Sequence, residues 1–197
     1  MYYEESSRRV KIIDRKIDEF ANYLQHRNNL DRIQLLKVRL GMQVVFSNIE
    51  KTIVVYGLAL IFQTFYYTLL THISYFLIRS NAHGAHAKSS LLCHIQNIIL
   101  FIIFPYLIIK FDVEYVVLLF LALIGFTIVI KNAPVATKKQ PIPKRLIRRK
   151  KILSIILYSF ILAVSLLTTE PINKLILFGE IIESVTLLSI FSPKEDL

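Results

Sequence analysis

The stretch LLCHIQNIILFIIFPYLIIKFDVEYVVLLFLALIGFTIVI, residues 91–130, decides the fold of this chain. It contains two apolar runs, about 91–109 and 113–130, with a short polar turn near Asp112 between them. Each run is close to the length that an α-helix needs to cross the roughly 30 Å hydrocarbon layer of a bilayer. The stretch therefore predicts two consecutive membrane-spanning helices.

Three further apolar runs lie outside this stretch, at about 52–78, 152–168 and 174–191. The chain has 197 residues, of which 54% are hydrophobic, a composition that soluble domains seldom reach. Because unpaired backbone groups are not tolerated in lipid, and because no run alternates as a barrel strand does, the fold class is all-α. We expect a polytopic membrane helical bundle.

The N-terminal segment, residues 7–26, has the pattern of an amphipathic helix. Its apolar residues recur at helical spacing, and charged residues fill the other face. Two interpretations are open, a helix that lies on the membrane surface and a helix that packs on its own protein. A second amphipathic stretch follows, for which Asp31 is a helix-start residue; its apolar positions are Leu30, Ile33, Leu36 and Leu40.

The distribution of the basic residues along the chain predicts its orientation in the membrane. The formal net charge is +10, but the basic residues collect between apolar runs rather than over a folded surface, so no nucleic acid partner is expected. Ten Lys and Arg lie in residues 1–51 and nine in the acid-free segment 131–151. Both regions should be cytoplasmic. The N-terminus and residues 79–90 then share a side, which predicts about six membrane helices, with an extra one beginning near Gly41.

The polar gap RSNAHGAHAKSSLLCH, residues 79–94, holds three of the five histidines and the only cysteine. These residues could be inert interface residues. They could instead bind a metal through His83, His86, Cys93 and His94, although no acidic residue between Glu50 and Asp112 offers a catalytic carboxylate. The third interpretation is a nucleophilic thiol with a histidine base.

The nucleophile interpretation requires a bend in the chain. On one continuous helix His86 and Cys93 would stand about 10 Å apart along the axis, too far for proton transfer. Gly84 permits a turn, and Ser89 or Ser90 can begin the helix that carries Cys93 in its first turn. The positive end of a helix dipole favours a thiolate at such a place.

The arrangement R..AHGAHAKSSLLC closely resembles that of the staphylococcal accessory gene regulator B (AgrB) peptidases. The segments YLQHRNNLDRIQLLKVRLGMQVV and APVATKKQPIPKRLIRRKK and the terminal KEDL extend the resemblance over essentially the whole chain. It implies a membrane cysteine endopeptidase of quorum sensing that needs no cofactor and no metal. It also implies the site residues: the nucleophile Cys93, the histidine His86, the supporting residues Arg79 and Gly84, and the substrate-binding residues Lys138 and Lys139.

The resemblance further implies the substrate, an AgrD-type precursor of an autoinducing peptide. Cleavage of its C-terminal tail would leave an acyl-enzyme thioester, from which a thiolactone ring forms. We expect residues 1–40 at the cytoplasmic membrane surface and residues 41–197 as the peptidase domain in the plasma membrane. Anionic lipids and a second copy of the chain are the other expected partners. In at least some members of the family the basic run has a third lysine where this chain has Gln140.

Other functions and other site residues stay open. A polytopic peptide transporter or exporter is an alternative, with Glu180 and Glu183 as a polar pathway; their ordinary role would be hydrogen bonding between helices. A noncatalytic scaffold is a second alternative. The group that orients His86 is also undecided; the candidates are Asn81, Ser89, Gln96 and Asn97.

Overall fold

The computed structural model describes residues 2–84, 90–136 and 142–188. This part of the chain forms α-helices and no β-strand, which confirms the predicted all-α class. A π-helical turn, Ile99–Ile103, joins α4 to α5. The α-helices are α1 (Tyr2–Asn28), α2 (Arg32–Ile61), α3 (Phe65–Ala82), α4 (Ser90–Ile98), α5 (Phe104–Lys110), α6 (Tyr115–Asn132), α7 (Lys144–Leu167) and α8 (Ile172–Thr186).

Four of the described helical segments are long and apolar enough to cross a membrane: α2, Leu91–Lys110, α6 and α7. The expected number of six was therefore approximate. Helix α3 is less apolar because it carries Arg79 and several polar side chains. Helix α8 has 15 residues, and at 1.5 Å per residue it extends only about 22 Å.

Several helix boundaries differ from those predicted. The helix expected to begin near Gly41 begins at Arg32, because the amphipathic stretch continues without a break into the apolar one. The run 52–78 is divided between α2 and α3 by a turn at residues 62–64, where Gln63 has a φ of 57°. Helix α7 begins at Lys144, directly after Pro143. Lysine and arginine are good helix formers, so the last part of the basic segment 131–151 is helical.

The chain divides into two compact units, Met1–Val54 and Val55–Leu197. In the first unit, Arg39 Nε lies 2.7 Å from Asp18 Oδ1, and Gln43 Nε2 donates to Asp14 Oδ1 at 3.3 Å. These contacts join α1 and the first part of α2 as an antiparallel hairpin, which supports the interpretation that the amphipathic segment packs on its own chain. Helix α2 begins where expected from Asp31, whose Oδ1 accepts a hydrogen bond from Gln34 N at 2.6 Å.

The second unit is built around α8, in which ten of 15 residues are buried. Helix α8 packs against α3, α6 and α7, and each of the three hydrophobic clusters in this unit includes one or more of its residues. Close helix approaches occur at two glycines, Gly179 and Gly125. A Cβ at Gly179 would collide with Ser74 Oγ, and one at Gly125 would lie 2.6 Å from both Ser184 Oγ and Tyr158 Oη. Small residues at helix crossings are typical of membrane bundles.

Candidate active site

The polar gap begins with a sharp change in backbone direction. Helix α3 ends at Ala82, and the next two residues, His83 and Gly84, have positive φ angles of 59° and 116°. Helix α4 then begins at Ser90. The helix start predicted at Ser89 or Ser90 is confirmed, whereas the bend predicted between His86 and Cys93 stays a prediction. His86 itself, within residues 85–89, lies outside the described residues.

Cys93 is the fourth residue of α4, so it lies at the end of the first helical turn, as predicted. Its side chain is half-buried, and the thiol is free rather than part of a disulfide. The predicted nucleophile therefore lies in the first turn of a helix, with a free thiol.

Arg79 makes the central polar contacts of this region. Its Nη1 donates to Thr186 Oγ1 at 2.8 Å and lies 3.5 Å from Glu183 Oε2. Its Nη2 donates to the carbonyl oxygen of Gly84 at 3.2 Å. One guanidinium thus joins the last turn of α8 to the start of the polar gap, and its side chain is only 13% exposed.

Gly84 fits this place because it has no side chain. Its φ of 116° lies in a region that L-residues other than glycine rarely adopt. A Cβ there would collide with Arg79 Nη1 and would lie 2.7 Å from Thr186 Oγ1. Gly84 and Arg79 are thus in direct contact. The family resemblance had implied both as supporting residues of the site.

Sequence reasoning did not select two residues of this region, Tyr75 and Thr186. Arg79 Cζ lies 5.9 Å from the centre of the Tyr75 ring, and Arg79 Nη1 donates to Thr186 Oγ1. Tyr75 precedes Arg79 by one helical turn, a spacing that could have indicated it. Glu183 was considered only as a transporter residue or a link between helices, and its contact with Arg79 of α3 confirms the second role.

The polar gap and the basic segment leave the bundle at the same end. Val135 N donates to the carbonyl oxygen of Ala82 at 3.0 Å. Lys150 Nζ donates to the carbonyl oxygen of Ser80 at 3.4 Å. Four exposed basic residues lie at the start of α7, namely Lys144, Arg145, Arg148 and Arg149. Lys138, Lys139 and Gln140 lie outside the described residues.

The contacts of the described residues do not single out one of the candidates for orienting His86. Asn81 Nδ2 donates to Ser80 Oγ at 3.0 Å, Gln96 is exposed and Asn97 is half-buried. Ser89 lies outside the part of the chain that the structure describes. His94 is half-buried in α4, and His83 pairs with Val135 in an isolated backbone bridge.

The family model described as Accessory gene regulator B matches residues 17–187 of this chain. The chain belongs to the AgrB family. Among curated relatives, the Accessory gene regulator protein B of Staphylococcus epidermidis is 71% identical, over 95% of this chain and 97% of the relative. The protein of the same name from Staphylococcus haemolyticus is 58% identical, and that of Staphylococcus aureus strain RF122 is 53% identical, each over 95% of this chain and the whole relative.

Membership of the AgrB family confirms the resemblance that the sequence indicated. It associates the chain with the agr quorum-sensing system, and the four long apolar helices agree with a membrane protein. No solved structure matches this chain.

Proposed function

We propose that this AgrB-family protein is a membrane-embedded cysteine endopeptidase that cleaves the C-terminal tail from an AgrD-type precursor peptide. The observation that carries the proposal is the place of Cys93, the only cysteine of the chain, in the first turn of α4. In this proposal Cys93 is the nucleophile and His86 the general base. Arg79 and Gly84 support the segment that carries His86 and leads to Cys93.

The first chemical step exchanges an amide for a thioester. The Cys93 thiol gives its proton to His86 and attacks the carbonyl carbon of the scissile peptide bond. As the C–N bond breaks, the leaving nitrogen takes the proton from the His86 imidazolium, and the tail departs as a free amine. The opening of an amide to a thioester is uphill, so removal or consumption of the tail drives the reaction.

The second step closes the ring. A cysteine thiol within the bound peptide gives its proton to His86 and attacks the thioester carbonyl, and Cys93 leaves as the thiolate. One thioester replaces another, so the exchange is nearly even in free energy. Oriented intramolecular attack reaches effective molarities of about 10⁵ M or more, which favours ring closure over hydrolysis by water.

The basic segment supplies substrate recognition in this proposal. Lys138 and Lys139 bind the acidic tail of the precursor, and the exposed basic residues at the start of α7 steer it toward the site. The other basic residues of this segment contact anionic lipid headgroups and fix the cytoplasmic orientation. Residues 1–40, whose helical stretches pack on each other as a hairpin, also lie at the membrane surface in this proposal. Residues 41–197 form the peptidase domain, and two copies pair as a homodimer.

Steering by charge has a measurable consequence. Because exposed charges are screened by salt, the KM for the precursor should rise as ionic strength increases, with little change in kcat. The measurement is initial rates of tail release in liposomes of neutral lipid over a series of salt concentrations. A KM that is constant over the series would contradict steering.

The decisive experiment uses purified protein in liposomes with a matching precursor. Mass spectrometry should detect the released tail and an acyl adduct on Cys93. Cys93→Ala should abolish both, while circular dichroism shows the parental helix content. Transport without proteolysis, or recruitment by a scaffold, would leave function intact in Cys93→Ala; that result would refute the proposed chemistry.

A further inference from the structure

Glu183 is buried in α8 on the side that faces α3, and the cysteine chemistry proposed above does not use it. Its side chain has no solvent exposure, and its Oε2 lies 3.5 Å from Arg79 Nη1. Among the residues that the structure describes, its Oε1 has no hydrogen-bond partner. Arg79 is therefore the main compensation for a carboxylate in the interior of the bundle.

We propose that Glu183 is a positioning residue: it holds the Arg79 guanidinium where that group fixes the carbonyl of Gly84, two residues before His86. The inference rests on the proposed function, and it extends the site to α8. Glu183 touches no reacting atom and acts only through Arg79.

The geometry supports this role in two ways. Arg79 donates through separate nitrogens, Nη1 toward α8 and Nη2 toward Gly84, so a shift of one contact disturbs the other. Gly84 also has no room to move toward Arg79, since even a Cβ there would collide with the guanidinium. Gly84 precedes His86 by two residues, so the position of Arg79 determines where the segment that carries the base begins.

Loss of the carboxylate would leave a positive charge in the bundle without its partner. In Glu183→Gln the amide can still accept a hydrogen bond from Thr186 Oγ1, which donates to Glu183 Oε2 at 3.2 Å, but it cannot balance the guanidinium. Arg79 would then turn toward the solvated end of the bundle, and the Gly84 carbonyl would lose its donor.

The test compares Glu183→Gln, Arg79→Gln and the double variant in liposomes. Since a displacement of about 1 Å can cost a factor of about 100, we expect kcat for tail release to fall about 100-fold in each single variant, with KM unchanged. The double variant should be no slower than Arg79→Gln alone, because Glu183 acts through Arg79. A parental kcat in Glu183→Gln, or losses that multiply in the double variant, would overturn the inference.

The matched control is Glu180→Gln, one helical turn earlier in α8. Glu180 is equally buried, and no described residue hydrogen-bonds to its carboxylate oxygens. Its kcat should stay close to that of the parent. If Glu183→Gln does not fold, Glu183→Asp decides: it keeps the charge but shortens the reach, so kcat should fall less than in Arg79→Gln while KM stays constant. A Glu183→Asp kcat equal to that of the parent would count against the inference.

A second measurement separates this inference from the proposed function. The rate of alkylation of Cys93 by iodoacetamide reports the environment of the thiol without any precursor. A parent protein that releases no tail would refute the proposed function. The positioning role would still stand if Glu183→Gln and Arg79→Gln change the alkylation rate equally and Glu180→Gln leaves it unchanged. If the parent releases the tail and Glu183→Gln changes neither readout, only the positioning role fails.

Discussion

Gly84 combines a backbone requirement with a packing requirement at one residue. Its φ of 116° excludes most side chains, and the space beside its Cα is filled by Arg79 and Thr186. Either requirement alone would favour glycine. Because both act at the point where the chain leaves α3 for the segment that carries His86, we expect substitutions of Gly84 to be poorly tolerated.

Gly84→Ala should therefore impair activity as well as stability. The forced backbone conformation costs about 1–3 kcal/mol, and relief of the collision would move Arg79 or the segment that leads to His86. We expect tail release to fall at least tenfold, roughly what 1.4 kcal/mol at the transition state produces. Steady-state rates in liposomes check this.

The matched control for this change is Ala82→Gly, two residues earlier at the end of α3, which adds no atoms. It should lower helix stability slightly but leave the contacts of Arg79 unchanged. Equal losses of activity in both variants would show that general loosening, rather than the collision at Gly84, is responsible.

The residues of the site were only partly predictable from the sequence. The start of α4 at Ser90 and the bend before it follow from local signals, the serines and Gly84. The partner of Arg79 does not, because Thr186 and Arg79 are 107 residues apart and no local pattern joins them. A buried carboxylate in an apolar run indicates a partner, but only the packing of α8 against α3 identifies it.

At the scale of elements, the glycines separate into two classes. Gly125 and Gly179 lie where helices cross, whereas an added Cβ at Gly41 or Gly57 would meet nothing within 4 Å. The first class permits close approach between helices, and the second only weakens α2 as a helix. The sequence shows these glycines alike, and the structure tells them apart.

This contrast predicts opposite effects of the same substitution. Gly125→Ala places a methyl group 2.6 Å from Tyr158 Oη and Ser184 Oγ, so it should destabilise the bundle by about 1–3 kcal/mol. Gly57→Ala removes a flexible residue from α2 and should stabilise the chain by up to about 1 kcal/mol.

The measurement is the free energy of unfolding in detergent, followed by circular dichroism as denaturant is added. Gly57→Ala serves as the matched control for the added methyl group. Equal effects of the two substitutions would contradict the close crossing of α6 with α7 and α8.

Helix boundaries were harder to predict than helices. The turn at residues 62–64 contains neither glycine nor proline, so the run 52–78 gave no sign of the break between α2 and α3. The π-helical turn in Ile99–Ile103 was also not predicted; there the Phe101 carbonyl accepts a hydrogen bond from Thr68 Oγ1 at 2.6 Å. Both features depend on contacts between helices.

At the scale of the whole molecule, the second unit has two different polar ends. One carries Arg79, Glu183 and the start of the polar gap. The other carries Lys174, whose Nζ lies 2.6 Å from Asp112 Oδ1 and 2.8 Å from Glu170 Oε2. The side chain of Lys174 is only 4% exposed, but those of Asp112 and Glu170 are 85% and 54% exposed. The two ion pairs of Lys174 join the turn after α5 and the turn before α8 to the first turn of α8.

The unequal burial predicts an unequal response to substitution. Asp112→Asn combined with Glu170→Gln leaves the buried ammonium of Lys174 without a carboxylate and should destabilise the unit by about 2 kcal/mol or more. Lys174→Met leaves only exposed carboxylates, which water can solvate, and should cost less.

Thermal unfolding in detergent ranks these variants. Since all three residues lie far from the Arg79 end of α8, tail release per folded molecule should stay at the parental level in each. Lower stability for Lys174→Met than for the double variant would contradict the assigned burial.

The proposed orientation has a direct test, because Cys93 is the only cysteine of the chain. A membrane-impermeant maleimide should label it in inside-out vesicles and not in intact cells. Denatured samples give the total number of reactive thiols. Labelling from the outside of intact cells would reverse the topology and place the polar gap on the extracellular face.

The central position of α8 has a consequence for biosynthesis. Among the described helices α8 is translated last, yet it packs against α3, α6 and α7. While a ribosome is still extending the chain, the earlier helices enter the bilayer with their inner faces unfilled and Arg79 without its carboxylate. If the proposed function holds, the site is completed only when this last described helix emerges, so a nascent chain that still lacks it should release no tail.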